Sequence, residues 1–240
     1  MLNLSISYYS AKGCRINNED SVSIMESNKG VLAIVADGLG GHADGEVASN
    51  QAVTTLNRLL QSTKPDEDQL IGAIQQASRD ILSLSDPACP MHTTIATLWL
   101  GEYSAVAANV GDSRIYQFRN GKIVFQSLDH SVAQMAVLVG EMDQSEIRTS
   151  KDRNRLIRVL GDHALPKVDS EVLTILEGDR FLLCSDGFWE AVTETDMLTA
   201  MACTDTAQKW LEVMRNIVEK TNNSAQDNHT AIALVINNTM

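Results

Sequence analysis

Val-Leu-Ala-Ile-Val-Ala-Asp-Gly, residues 31–38, is the segment that most constrains the fold. Six consecutive apolar residues predict a strand buried on both faces, and this strand leads directly into an acidic residue followed by glycine. Residues 181–187, Phe-Leu-Leu-Cys-Ser-Asp-Gly, repeat the arrangement late in the chain. A single Asp-Gly pair is most often a solvated turn, but two that each follow a buried strand favour a functional site.

The remaining apolar patterns predict an α+β fold in which strands come in runs and helices come in pairs. This order differs from the strict strand–helix alternation of a doubly wound fold, and it favours two antiparallel sheets flanked by helices. Asn120-Gly121 predicts a tight hairpin, Asp44 a helix N-cap, and Asp66 with Gln69 a capping box. The further predicted strands are residues 95–100, 104–110, 114–118, 122–126, 180–185 and 230–236, and the predicted helices are residues 46–61, 66–84 and 206–220.

Length and charge limit the class of protein. The chain has 240 residues, 44% of them apolar, and no Pro-, Gly- or Ser-rich linker, so residues 1–240 are expected to form one domain. The formal net charge of −12 argues against nucleic acid or an anionic membrane as the main partner.

Several features predict a cytoplasmic protein. The four cysteines show no CxxC or zinc-finger spacing, which suits a reducing compartment. Residues 1–10 lack the basic and apolar regions of a secretory signal, and no apolar run approaches the length of a membrane span.

Acidic residues stand at the ends of the predicted strands and in the adjoining turns. An ion pair could explain any one of them, but several buried carboxylates that meet in one place require cations. Ligands that are all oxygen favour hard ions such as Mg²⁺ and Mn²⁺. The acidic candidates are Glu19, Asp20, Asp37, Asp186 and Asp227.

The sequence lacks the motifs of three other kinds of site that act on phosphoryl groups. No cysteine is followed six positions later by arginine, so the loop of a cysteine-nucleophile phosphatase is missing. Asp37-Gly38-Leu39 lacks the second aspartate of an aspartyl-phosphate site, and Gly121-Lys122 is followed by Ile123 rather than the Ser or Thr of a Walker A motif. Water activated by metal ions is the remaining nucleophile.

An ordered series of short motifs resembles the metal-dependent serine/threonine protein phosphatases of type 2C, in their compact bacterial form. Each motif is weak alone, but the ordered set spans nearly the whole chain. The motifs are Arg15-x-x-Asn18-Glu19-Asp20, Ala36-Asp37-Gly38-Leu39-Gly40-Gly41-His42, Thr93-Thr94, Asn109-Val110-Gly111-Asp112-Ser113-Arg114, Asp129-His130-Ser131, residues 156–161, Ser185-Asp186-Gly187 and Asp227-Asn228-His229-Thr230.

The resemblance implies a four-layer α/β/β/α sandwich and a set of metal ligands. Asp37 is expected to bridge two Mg²⁺ or Mn²⁺ ions, and Gly38 to offer its carbonyl. Asp186 and Asp227 are expected to complete the first metal site, and Glu19 and Asp20 to bind metal directly or through water. Asp112 matches a position that, together with Asp186, holds a third, weaker ion in bacterial members.

The resemblance also implies a reaction and a partner. A hydroxide that bridges the metals would attack phosphoserine or phosphothreonine in a protein, Arg15 would clamp the phosphate, and His42 would protonate the leaving alkoxide. A cognate Ser/Thr kinase system and a monomeric state are expected. Phe188-Trp189-Glu190 loosely resembles phosphatases encoded with type VI secretion systems, although core packing of Phe188 and Trp189 would also explain this sequence.

Two departures and two alternatives remain open. His92 stands where members usually carry glycine, and it could crowd a neighbouring strand or add a polar contact. Residues 132–154 match a flap beside the site that can contribute to substrate selection. The alternatives are a pseudophosphatase without turnover and a two-metal phosphoesterase that acts on nucleotides or small phosphates. The other four histidines, His92, His130, His163 and His229, are expected to be structural or exposed.

Overall fold

Two antiparallel β-sheets form the centre of the protein, whose computed structural model describes residues 3–40, 44–221 and 226–237. The first sheet has the strand order β1-β11-β10-β7-β8, and the second has the order β2-β3-β5-β6-β9, with β4 paired to β3. The strands are β1 (Leu4–Ala11), β2 (Asp20–Ser27), β3 (Gly30–Leu39), β4 (His92–Thr93), β5 (Ile95–Leu100), β6 (Ser104–Val110), β7 (Arg114–Arg119), β8 (Lys122–Gln126), β9 (Asp169–Thr174), β10 (Arg180–Cys184) and β11 (His229–Ile236).

Helices cover the outer face of each sheet. One apolar cluster joins two of them, α1 and α2, to the second sheet, and another joins α5 and α6 to the first sheet. A third cluster fills the space between the sheets. The predicted four-layer α/β/β/α sandwich is therefore confirmed. The helices are α1 (Asp44–Leu60), α2 (Glu67–Leu84), α3 (Val132–Leu138), α4 (Asp186–Trp189), α5 (Glu194–Ala202) and α6 (Ala207–Lys220), with a 3-10 helix at Gln144–Thr149.

The position of β3 explains its continuous apolar sequence. Leu32 and Ile34 belong to the cluster beneath α1 and α2, whereas Ala33 and Val35 belong to the cluster between the sheets. Both faces of the strand are buried, so polar residues at alternate positions would place polar side chains away from water. β11 is buried on both faces in the same way.

The strands and helices that the sequence pattern missed are mostly edge strands and short helices. β1, β2 and β9 lie at sheet edges and are only partly buried, so their sequences mix polar and apolar residues. α3, α4 and α5 have nine residues or fewer, too short for a clear helical period.

The structure confirms the predicted hairpin turn and the Asp66 half of the predicted capping box, but not the predicted cap at the start of α1. Asn120 and Gly121 both have positive φ, as a tight hairpin turn requires. Asp66 caps α2 by accepting a hydrogen bond from the Gln69 N–H at 2.9 Å. The prediction that Asp44 caps α1 was wrong, because the helix begins one residue early and Asp44 lies within its first turn.

Among the described residues, no helix is both long enough and apolar enough to cross a bilayer.

Candidate metal and phosphate site

One pocket of about 770 Å³ contains most of the residues that the sequence singled out. Asp20 lies beside the pocket, opposite Asp37 on the neighbouring strand. His42, the predicted proton donor, falls outside the described residues. The predicted residues that line the pocket are Arg15, Glu19, Asp37, Gly38, Asp112, Asp186 and Asp227.

Asp37 is fixed through its main chain. Its N–H donates to Thr94 Oγ1 at 3.0 Å, and its carbonyl accepts from the Thr93 hydroxyl and the Thr94 N–H, both at 2.8 Å. These bonds account for the Thr93-Thr94 pair of the sequence. β3 continues past Asp37 to Leu39, so the expectation that the strand ends at this aspartate was wrong.

The glycine after each aspartate is required by close packing. A Cβ on Gly38 would lie 2.1 Å from the Gly45 carbonyl oxygen at the start of α1, and one on Gly187 would lie 2.1 Å from the Asn228 carbonyl oxygen. Neither glycine has positive φ. A close backbone approach therefore accounts for both glycines, and it brings α1 and Asn228 to the pocket.

Asp186 is the first residue of α4 and lies against the acids of the second sheet. The carboxyl groups of Asp186 and Asp37 lie close enough for each to shift the pKa of the other. The preceding residue, Ser185, donates its hydroxyl to Asp20 Oδ2 at 2.7 Å and accepts from the Thr230 N–H at 3.0 Å. These contacts join the two sheets at the pocket.

Arg15 lies at the mouth of the pocket with 60% of its side chain exposed. Its guanidinium pairs with Asp227 at 2.5 Å. Asn228 holds the Arg15 loop, because its side chain donates to the Lys12 and Asn17 carbonyls, each at 2.9 Å. It also accepts from the Glu19 N–H at 2.8 Å. The role of Asn228 in the loop was not predicted.

The crowded acids have raised pKa values. Burial, followed by neighbouring carboxylates, raises the pKa of Asp186 to about 7. Burial also raises the pKa of Asp20 to about 6, against hydrogen bonds that lower it. Burial and like charge raise the pKa values of Asp37 and Asp112 well above the ordinary range. Burial raises the pKa of Glu19 although Arg15 opposes the shift.

The donor set fits a hard divalent cation. The ligands offered are oxygen atoms, and the buried Asp20 Oδ1 has no hydrogen-bond partner in the part of the chain that the structure describes. Within residues 3–40, 44–221 and 226–237, no three His, Cys, Asp or Glu side chains are already arranged around a common ion position. The Asp227 carboxylate is paired with Arg15, so binding of an ion by Asp227 would compete with this pair.

Three of the four described histidines have structural or exposed positions, as predicted. Nδ1 of the buried His130 accepts from the Gly111 N–H at 3.1 Å, and its Nε2 faces Asp169 at 3.1 Å. His229 is buried with Nδ1 3.2 Å from the Tyr9 hydroxyl, and His163 is exposed.

His92 adds no polar contact through its buried Nδ1. This nitrogen has no hydrogen-bond partner among the described residues. His92 lies on β4 opposite Leu39, so its ring stands beside the strand that carries Asp37.

The flap segment, residues 132–154, lies beside the pocket as the sequence predicted. Asn154, the last residue of this segment, lines the pocket, and so does Leu156, the first residue of the 156–161 motif. Arg153 pairs with Glu190, at 2.5 Å from Nε to Oε1, and joins the flap segment to the residue that follows α4. Phe188 and Trp189 are fully buried in the core under the first sheet, so core packing accounts for both.

Comparisons with known proteins agree with this geometry. The protein phosphatase 2C family model matches residues 10–228. The serine/threonine phosphatase stp of Listeria innocua is 30% identical over 236 residues, which cover 94% of this chain and 92% of that protein.

Two solved structures share the fold. The catalytic domain of the serine/threonine protein phosphatase PstP, in complex with two manganese ions, superposes with a TM-score of 0.83 at 27% identity over 99% of this chain and 100% of the other. PppA, a key regulatory component of T6SS in Pseudomonas aeruginosa, superposes with a TM-score of 0.79 at 27% identity over 96% of each chain.

The family model covers most of the chain, and the matched residues include the acids that the fold gathers into one pocket. The resemblance inferred from the sequence is thereby confirmed: this chain belongs to the protein phosphatase 2C family and is a serine/threonine protein phosphatase.

Proposed function

We propose that this phosphatase uses Mg²⁺ or Mn²⁺ to hydrolyse phosphoserine and phosphothreonine in proteins, and that residues 1–240 form one catalytic domain. The observation that carries the proposal is the group of acids around Asp37, whose burial and mutual repulsion raise several pKa values. Divalent cations would remove this repulsion. The two manganese ions bound by the related PstP domain support the choice of metal.

The proposed ligands divide into a core set and an outer set. Asp37, the Gly38 carbonyl, Asp186 and Asp227 would hold the two core ions. Glu19 and Asp20 would bind directly or through water, and Asp112 would join Asp186 at a third, weaker ion. When bound, such ions supply a water nucleophile at neutral pH and offset charge on the phosphoryl oxygens.

Arg15 is proposed to bind the phosphate. Its exposed guanidinium lies at the mouth of the pocket, on a loop that Asn228 fixes from two sides. A planar guanidinium can donate to two phosphate oxygens at once, which a lysine cannot do.

His42 is proposed as the proton donor to the leaving alkoxide, because imidazole titrates near neutral pH. The His42→Ala variant should lose more rate on a phosphothreonine peptide than on p-nitrophenyl phosphate, whose leaving group needs no proton. Equal losses on the two substrates would reject this role.

The proposed partners are phosphoproteins and the kinase that makes them. The similarity to PppA supports a phosphatase that opposes a Ser/Thr kinase linked to type VI secretion. We further propose that the chain acts in the cytoplasm as a monomer. A phosphoproteome comparison between cells with the wild-type protein and cells with the Asp37→Asn variant would test the pairing with this kinase. Unchanged phosphorylation of secretion-system proteins would contradict it.

The experiment that tests the activity compares substrates across a Mn²⁺ titration. We expect hydrolysis of a phosphothreonine peptide that depends on Mn²⁺, is abolished by a chelator and exceeds the rate on nucleotides. A preference for nucleotides would identify a small-molecule phosphoesterase. No hydrolysis of the peptide or of p-nitrophenyl phosphate at saturating Mn²⁺ would identify a pseudophosphatase.

A further inference from the structure

Trp189 contacts the main chain of an acidic residue in the pocket. It is the last residue of α4, the short helix that begins at Asp186, and its side chain is fully buried. Its indole N–H donates to the Asp112 carbonyl oxygen at 2.9 Å. α4 therefore begins with Asp186 and, through Trp189 at its last position, forms a hydrogen bond to Asp112.

The indole ring is also approached by two arginines from different parts of the fold. The guanidinium carbon of Arg114 is 3.6 Å from the ring centroid, and that of Arg148 is 5.6 Å from it. Arg114 is buried and held by Asp129 through two bonds of 2.7 and 2.8 Å. Arg148 belongs to the 3-10 helix of the flap segment and bonds to Glu194 at 2.9 Å.

We propose that Trp189 is a positioning residue that couples the flap segment to Asp112 and thereby sets the affinity of the weaker metal site. The inference rests on the proposed function, because it assigns Asp112 to that site. Asp112 follows Gly111, which has a φ of 101°, so its main chain lies in a loop and not in a strand ladder. Without the indole N–H, its buried carbonyl would lose this partner and the carboxyl group would be less well oriented.

Trp210 provides a matched control in the same protein. It is also fully buried, its N–H donates to the Met197 carbonyl oxygen at 3.0 Å, and the guanidinium carbon of Arg180 lies 5.6 Å from its ring. Its hydrogen bond joins α6 to α5 and reaches no acid of the pocket. Phenylalanine at either position keeps an aromatic ring and removes the N–H.

The test compares Trp189→Phe with Trp210→Phe by calorimetric titration with Mn²⁺ and by Mn²⁺-dependent hydrolysis. For Trp189→Phe we expect the weaker class of Mn²⁺ sites to lose about tenfold in affinity, as typical for loss of a group that orients a ligand. The Mn²⁺ concentration for half-maximal activity should rise by a similar factor. Trp210→Phe should lose thermal stability but bind Mn²⁺ like the wild type. Equal Mn²⁺ affinity in the two variants would overturn the inference.

A second measurement leaves Trp189 intact in case its replacement prevents folding. In the Trp99→Phe/Trp210→Phe variant, Trp189 is the only remaining tryptophan. Its fluorescence should change on titration with Mg²⁺, with a midpoint in the weaker binding phase, and a constant signal would contradict the coupling. If wild-type protein shows no Mn²⁺-dependent hydrolysis, the proposed function fails. If wild type is active and Trp189→Phe binds Mn²⁺ normally, only this inference fails.

Discussion

Asp37 combines a tightly fixed main chain with an unfavourably placed carboxyl group. Threonine residues 93 and 94 fix its N–H and carbonyl, while burial and the nearby acids raise its pKa. A residue that opposes the stability of the metal-free protein, yet is held so firmly, is typical of a functional site.

Replacement of Asp37 by Asn should separate stability from activity. Because the pKa of Asp37 is raised, burial of its carboxyl group costs free energy at neutral pH that an amide avoids, so the melting temperature in a chelator should rise. Mn²⁺-dependent hydrolysis of a phosphopeptide should fall by at least about 100-fold. Asp80→Asn is the matched control, because Asp80 lies on α2 and accepts bonds from Thr55 and Gln76 at 2.8 and 2.6 Å. That variant should lose stability and keep its rate. A near-normal rate for Asp37→Asn would remove the proposed mechanism.

Arg15→Lys should weaken substrate binding more than turnover. Lysine keeps the charge but cannot form two parallel bonds to a phosphate, so KM for a phosphopeptide should rise by about tenfold. Steady-state kinetics at saturating Mn²⁺ measure the change. The control is Arg58→Lys on α1, where Arg58 pairs with Asp80 at 3.4 Å. This variant should leave KM and kcat unchanged. An unaltered KM for Arg15→Lys would argue against a phosphate clamp.

At the scale of elements, the contact between β3 and α1 depends on the absence of a side chain at residue 38. A Cβ there would lie 2.1 Å from the Gly45 carbonyl oxygen, so Gly38→Ala must push the helix start from the strand and should cost about 1–3 kcal/mol of unfolding free energy. Gly72→Ala on α2 has no atom within 4 Å of its Cβ and should stabilise by about 0.4–1 kcal/mol. Denaturant unfolding of the two variants measures both changes in unfolding free energy. A Gly38→Ala variant as stable as the wild type would contradict the close approach.

The elements also show how far sequence could predict the fold. β5 and β6 were predicted with correct ends, since their burial on both faces gives mostly apolar runs in which only Thr97, Ser104 and Asn109 are polar. β1, a partly buried edge strand, alternates serine with larger residues and gives a weaker pattern. The acids of the site could be predicted from local motifs. The Asn228 bonds to the Arg15 loop could not, because they join residues more than 200 positions apart.

At the scale of the whole molecule, the acids should make the stability of the metal-free protein depend on pH. Asp20 and Asp186 titrate at about 6 and about 7 when folded, whereas aspartate in an unfolded chain titrates near about 3.9. Asp20 and Asp186 thus bind protons more tightly in the folded protein than in the unfolded chain. Their protonation stabilises the folded protein fully below pH of about 4. That contribution is lost as the pH rises to about 7.

Thermal unfolding in a chelator should show this loss when wild type is compared with the Asp20→Asn/Asp186→Asn variant. The wild-type melting temperature should fall relative to the variant between pH of about 4 and about 7. Mg²⁺ should raise the wild-type melting temperature more at pH 7 than at pH 5 and leave the variant nearly unchanged. A difference between the proteins that does not vary with pH would contradict the assignment of the raised pKa values.

The central claim is that divalent ions bind among the acids of the pocket, and diffraction from crystals grown with Mn²⁺ tests it most directly. Anomalous difference maps recorded at the manganese absorption edge should show two strong peaks within coordination distance of Asp37, with Asp186 and Asp227 among their ligands and Arg15 released from Asp227. Crystals in saturating Mn²⁺ that show no anomalous peak near Asp37, with Asp227 still paired with Arg15, would contradict the account.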